Sequence, residues 1–295
     1  MSQVQQSEAA RHQKRLAMVF GLTSFYFAVE VVGGVLTKSL ALLADAGHML
    51  TDVAGVGLAL LAIRFAARPA SPERTYGFHR VEILAALTNS VVLVGISFYI
   101  LYEAYQRWLQ PPEVDGQAML GVAVVGLIVN IAGMMILRSG SSESLNMKGA
   151  YFEVLSDMLT SIGVIIAAIV MLTTGWYYAD PLISAGIGLF ILPRTWTLMK
   201  EAVGVLLEGV PSDVNLTDLR ETVSKVPGVI SVHDLHVWSL TSGINAMSAH
   251  AVLEEGATYT DVLAAIHVAV TNGFKISHVT IQIEPPGWQH DETHL

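Results

Sequence analysis

Apolar residues occupy the first two thirds of the chain in six long stretches separated by short polar segments, and then give way to a shorter, alternating pattern. The stretches are Leu16 to Leu36, Leu40 to Ala66, Val81 to Tyr105, Ala118 to Leu137, Ala150 to Leu172 and Ala179 to Met199. Each is near the ~20 residues that a helix needs to cross a bilayer, so six transmembrane helices are expected. From Glu208 onward the pattern is that of a soluble domain. Gly209-Val210-Pro211 ends the sixth helix, and Ser212, Asp213 and Asn215 offer caps for the next. A helical period over Leu216 to Lys225, strand alternation over Val229 to Leu240 and Ala246 to Leu253, a helix over Tyr259 to Asn272 and a strand over His278 to Glu284 predict the order αββαβ. The expected architecture is an α-helical membrane domain over 1–208 followed by an α+β domain over 209–295.

Composition agrees with that division. Of 295 residues 53% are hydrophobic and only 14% charged, and the mean hydropathy of +0.53 is that of an integral membrane protein with lipid as its surroundings. Basic residues mark the topology. Arg11, Lys14 and Arg15 precede the first stretch; Arg64, Arg68, Arg74 and Arg80 separate the second and third; Arg138 and Lys148 separate the fourth and fifth; Arg194 and Lys200 close the sixth. The opposite side carries only Lys38 and Arg107, so both termini are expected in the cytoplasm. The formal net charge is −9 and no basic stripe tracks a phosphate backbone, which argues against a nucleic-acid partner. Met1 to Lys14 is polar and no small-residue cleavage site precedes the first stretch, so that helix is expected to stay in the mature protein. Cysteine is absent, so any metal site must be built from His, Asp, Glu and water.

The second stretch contains SLALLADAGHMLTD, which places Asp45, His48 and Asp52 where hydrocarbon would exclude them. Ionisable groups at that depth cost several kcal/mol unless partnered, and mark function. His48 and Asp52 are four apart, on one helix face with Cβ atoms about 6 Å from each other. The fifth stretch repeats the device with Glu153 and Asp157 in AYFEVLSDMLTS. If the two helices touch, His48, Asp52, Glu153 and Asp157 form one nitrogen and three carboxylate ligands, a set suited to a tetrahedral divalent ion. Asp45, three residues before His48, is placed to accept from the imidazole N–H or to stand on the path of the ion. Gly33 and Gly34 read as close-packing positions, and His79 lies in a charged segment at the membrane surface where it can contribute to a weak entry site.

With these residues in view, the chain resembles the cation diffusion facilitator family, near its bacterial zinc, cobalt and cadmium exporters. The likeness runs along almost the whole length: SLALLADAGHMLTD, YGFHRVEILAALTN, LNMKGAYFEVLSD, LLEGVP, HDLHVWSLTSG and VTIQIE occur in the family's order and spacing. It implies six helices, a cytoplasmic metallochaperone-like domain, a homodimer in the bacterial inner membrane, and exchange of a divalent metal for protons between the second and fifth helices. By family position His233, His250 and Glu284 are candidate regulatory metal ligands. His278 is a further candidate, one residue after the place where relatives have a histidine. Many family members have histidine where this chain has Glu153.

The chemistry of that difference can be read directly. A carboxylate in place of a neutral nitrogen adds negative charge and hardens the donor set, leaving Zn²⁺, Co²⁺ and Cd²⁺ as substrates and Mn²⁺ or Fe²⁺ less excluded. Metal binds only to neutral His48 and ionised carboxylates, so metal and protons compete for the same atoms. The expected function is proton-coupled efflux of Zn²⁺ first, then Co²⁺ or Cd²⁺; a passive divalent-metal channel or a metal sensor without transport would use the same ligands. No H-E-x-x-H motif is present to support a metalloprotease. On strand geometry, His233 and His236 face opposite ways unless a bulge intervenes. His278 and Glu284 lie about 20 Å apart along one strand.

Overall fold

A computed structural model describes the backbone of residues 3–66, 68–138, 145–241 and 243–288. Side chains at 3–14, 51–52, 55–64, 66 and 145–149 fall outside the described residues, and that of Asp52 with them. The chain forms two compact units. One comprises Met1–Leu58 with Thr88–Leu198, the other Ala59–Leu87 with Met199–Leu295.

Six long helices come first: α1 (Gln3–Thr37), α2 (Leu40–Ala66), α3 (Arg80–Leu109), α4 (Gly116–Arg138), α5 (Leu145–Thr174) and α6 (Ala179–Leu206). Several run beyond the apolar stretches that predict them, because helical hydrogen bonding continues into the polar flanks after the hydrocarbon-compatible residues end. Among the described residues five are long and apolar enough to cross a membrane, over Arg15–Thr37, Arg80–Leu109, Gly116–Arg138, Ala150–Thr174 and Ala179–Leu206. For α2 the apolar segment Leu40–Leu50 lies among the described side chains. Gly175, at φ +68°, takes the left-handed position that ends α5.

The first unit packs small residues of α2 and α5, Ala41, Ala44, Ala167 and Ala168, against Ile100 of α3, Met119 of α4 and Ile187 of α6. Small side chains let helix backbones approach where no hydrophobic effect drives them together. Gly126 of α4 is the clearest case, since a Cβ there would collide with the buried Tyr26 ring and hydroxyl. Gly33 and Gly34 behave as expected: a Cβ on either would press into Val122 or Leu43. Polar ties fix the register between helices. Thr160 on α5 donates to Asp45 on α2 at 2.6 Å, Asn130 on α4 donates to Ser161 on α5 at 3.3 Å, and Asp180 on α6 accepts from Ser39, Leu40 and Ala41 at the start of α2.

In the second unit, α7 (Leu216–Ser224), β1 (Val229–Thr241), β2 (Ile244–Leu253), α8 (Tyr259–Phe274) and β3 (His278–Glu284) follow the expected αββαβ order. Asn215 caps α7, its side chain accepting from Thr217 and Asp218 backbone N–H. The sheet order is β1-β2-β3, with β1 antiparallel and β3 parallel to β2. Val262, Ile266 and Val270 of α8 and Leu219 and Val223 of α7 bury against Val232, Val237, Met247, Ala249 and Ala251, so both helices cover one face. By strand alternation His250 belongs to the other face. In the same unit Arg80 pairs with Glu208 at 2.8 Å, Thr241 donates to Glu82 at 2.6 Å, and Tyr76 meets the edge of His278 at 5.6 Å.

Candidate functional site

The bond from Thr160 to Asp45 brings α2 and α5 together one turn from the ionisable residues, and Thr160 also donates to the Asp157 carbonyl at 2.9 Å. As a result His48 faces the carboxylate pair of α5. Its Nε2 lies 3.7 Å from Glu153 Oε1 and 3.8 Å from Asp157 Oδ1. His48 and Asp157 are buried, and Glu153 is half-buried. Zinc bonds of about 2.1 Å in a tetrahedron put ligand atoms about 3.4 Å apart. Each carboxylate thus stands within a few tenths of an ångström of coordinating distance from the imidazole, but the ligand atoms of His48, Glu153 and Asp157 do not all lie within 4.8 Å of one another, so the two carboxylates must close on each other to share one divalent ion. Asp52 lies outside the described side chains.

Asp45 does not stand alone beside them. It accepts from Thr160 at 2.6 Å, and Glu30, a buried α1 residue, accepts from Tyr26 at 3.0 Å. Arg194 is a participant that sequence reasoning missed. It reads along the chain as one more basic marker closing the sixth helix, but α6 continues to Leu206. Its guanidinium instead forks onto Glu153, Nη2 to Oε2 at 2.7 Å and Nη1 to Oε1 at 3.2 Å. The extra negative charge expected from Glu153 is thus met by a cation.

A second cluster lies on the helix-free face of the sheet. His233, His250 and Glu284 offer ligand atoms that all fall within 4.8 Å of one another. His250 Nδ1 is 3.0 Å from Glu284 Oε1, and His233 Nε2 is 3.3 Å from Glu284 Oε2. Two imidazoles and a buried carboxylate suit a divalent transition ion. The other ring nitrogen of His250 turns to Asp234 Oδ2 at 3.5 Å. Asp234 sits in a β-bulge, where His233 pairs with His250 but His236 pairs with Ser248. Its φ of +48° is the left-handed conformation that Asp and Asn tolerate among non-glycine residues. The bulge puts His233 and His236 on the same face after all. His236 nevertheless goes to Asp234 Oδ1, at 2.8 Å, and this hydrogen bond holds the Asp234 carboxyl below the usual carboxylate range.

His278 lies at the opposite end of β3, in register with Ala246, whereas Glu284 is in register with Val252. It rests against Tyr76 rather than joining the cluster. His79 lines a cavity of about 800 Å³ with Glu73, Arg74, Arg80, Glu208 and His236. Oppositely charged groups meet there.

Residues 16–207 match the model of the cation efflux transmembrane domain, and residues 211–286 that of the cation efflux protein cytoplasmic domain. The chain is 48% identical over 274 residues to the metal cation efflux system protein CzcD of Cupriavidus metallidurans, covering 92% of this chain and 87% of that one. It is 41% identical over 290 residues to the cadmium, cobalt and zinc/H(+)-K(+) antiporter of Bacillus subtilis, covering 96% and 93%. To the zinc transporter ZitB of Escherichia coli it is 40% identical over 284 residues, covering 96% and 90%. An intramembrane His/carboxylate cluster, an αββαβ domain with its own metal-competent cluster, and these matches along both segments lead to one conclusion: the chain belongs to the cation diffusion facilitator family of membrane-embedded metal efflux proteins.

Proposed function

We propose that the protein exports divalent transition metal from the cytoplasm in exchange for protons, Zn²⁺ first with Co²⁺ and Cd²⁺ close behind. The observation that carries this reading is His48 Nε2 on one helix lying 3.7 Å from Glu153 Oε1 and 3.8 Å from Asp157 Oδ1 on another. Asp52, four residues after His48, supplies the fourth ligand, and α2 is the sixth span. The membrane domain ends near Glu208, both termini are cytoplasmic, and the protein works as a homodimer in the bacterial plasma membrane. His233, His250 and Glu284 hold a regulatory ion. His48 binds metal only when neutral, and the carboxylates only when ionised, so each metal captured displaces protons and protons arriving from the far side displace metal. If the bundle opens alternately to each side, the inward proton gradient drives the metal out.

Purified protein in liposomes tests the reading. A pH gradient should drive Zn²⁺ accumulation against its own gradient, and Asp157→Asn should abolish it in a protein that still elutes as the native oligomer. Flux that ignores the pH gradient would leave a passive channel, and normal transport by Asp157→Asn would remove the site.

A further inference from the structure

The two bonds between Arg194 and Glu153 are unequal. Oε2 is held tightly, at 2.7 Å, and Oε1 loosely, at 3.2 Å. Oε1 is also the oxygen turned toward His48 Nε2, at 3.7 Å. The carboxylate therefore has one oxygen committed to the guanidinium and the other directed at the place where an ion would sit. Deepening the transport-site reading above and resting on it, we propose that Arg194 is a positioning residue that locks Glu153 in its coordinating pose and cancels its charge, so that Glu153 meets a divalent ion as a neutral ligand does.

Charge balance is the physical reason. Asp52 and Asp157 alone match a doubly charged ion. A third unopposed carboxylate would leave the loaded site negative inside a medium of low dielectric, where net charge is expensive. It would also hold the ion too strongly for a carrier that must release it. With Arg194 counted, Glu153 adds a donor oxygen without adding net charge. The guanidinium can remain where it is during loading, because its stronger bond is to the oxygen the metal does not need. Arginine suits the task since its planar fork fixes the carboxylate plane, which a lysine ammonium cannot do. A purely structural role for the pair predicts an effect on stability and none on metal affinity or selectivity.

The test is a double-mutant cycle on the full-length protein in nanodiscs, with Zn²⁺ as the probe and the binding event lost in Asp157→Asn taken as the transport site. Glu153→His alone leaves the Arg194 cation beside a neutral ligand and the incoming ion, and should weaken Zn²⁺ binding at that site at least tenfold. Glu153→His with Arg194→Gln should return it to within threefold of wild type. Should Glu153→His not fold, Glu153→Gln, neutral and of the same shape, takes its place in the cycle. Arg194→Lys should retain more affinity than Arg194→Gln in the wild-type background. A double variant no better than Glu153→His alone, or coupling seen only in the unfolding temperature, overturns the proposal. If no Zn²⁺ binding event depends on Asp157, the transport-site reading itself has failed, and the role of Arg194 falls with it.

Discussion

Asp180 belongs to the first turn of α6, yet its fully buried carboxylate serves the start of another helix. It accepts from Ser39 Oγ at 2.6 Å and from the backbone N–H groups of Leu40 and Ala41 at 2.9 and 3.2 Å, with Arg107 Nη1 3.7 Å away. The first N–H groups of any helix lack partners within it, and a negative charge there is favoured by the helix dipole. Asp180→Ala would strand three donors in a buried setting. Each stranded donor costs about 1–3 kcal/mol. Allowing for water entering the space left by the carboxylate, the expected loss is about 3–5 kcal/mol, a large share of the stability of a typical domain. Asp180→Asn keeps one acceptor oxygen and should lose about half as much. Detergent-solubilised protein titrated with SDS and followed by the fluorescence of its five tryptophans gives the difference directly. Because His48 lies about 12 Å along α2 from Leu40 at 1.5 Å per residue, the refolded alanine variant should also bind Zn²⁺ more weakly. A stability loss below about 1 kcal/mol would mean that water replaces the carboxylate fully, and the capping argument would be wrong.

Two further substitutions probe other parts of the fold. Asp234→Asn keeps a residue that tolerates positive φ but removes the carboxylate facing His250 Nε2, so metal affinity of the His233/His250/Glu284 cluster should fall ~10-fold while the domain stays folded; equal affinity would mean that His250 needs no orienting partner. Since the native state lowers the Asp234 pKa, its contribution is fully present above the unfolded carboxyl value near 3.9 and is lost as pH falls through the lower native value, and acid titration of the asparagine variant should lack that component. Gly126→Ala drives a methyl into Tyr26, breaks its bond to Glu30 and should cost about 1–3 kcal/mol, visible as a lower unfolding temperature that Tyr26→Phe partly restores; an unchanged unfolding temperature would show that α1 and α4 can separate at no cost.

Features that depend on a few neighbouring residues were readable along the chain. The apolar stretch that predicts α2 has the same ends as the helix, β3 begins and ends where alternation places it, and Asn215 caps α7 as its residue type suggests. His48 and Glu153 with Asp157 could be chosen because spacing on a helix determines which side chains share a face. The pairing of those faces was an inference from chemistry, since charged groups in hydrocarbon require partners, and His48 does stand 3.7 Å from Glu153 and 3.8 Å from Asp157.

Contacts made across the fold were not readable in that way. Arg194 carries the same side chain as the basic residues that mark topology, and only packing of α6 beside α5 turns its guanidinium onto Glu153. Asp180 looks like a cap for its own helix, yet its acceptors are used by α2. Alternation alone sends His233 and His236 to opposite faces, whereas the one-residue bulge at Asp234 reverses the second of them. Residue spacing reports the geometry of one element at a time. Which oxygen of a carboxylate faces a histidine, and which faces an arginine, depends on how separate elements pack, and at this site that packing sets the charge a metal ion meets.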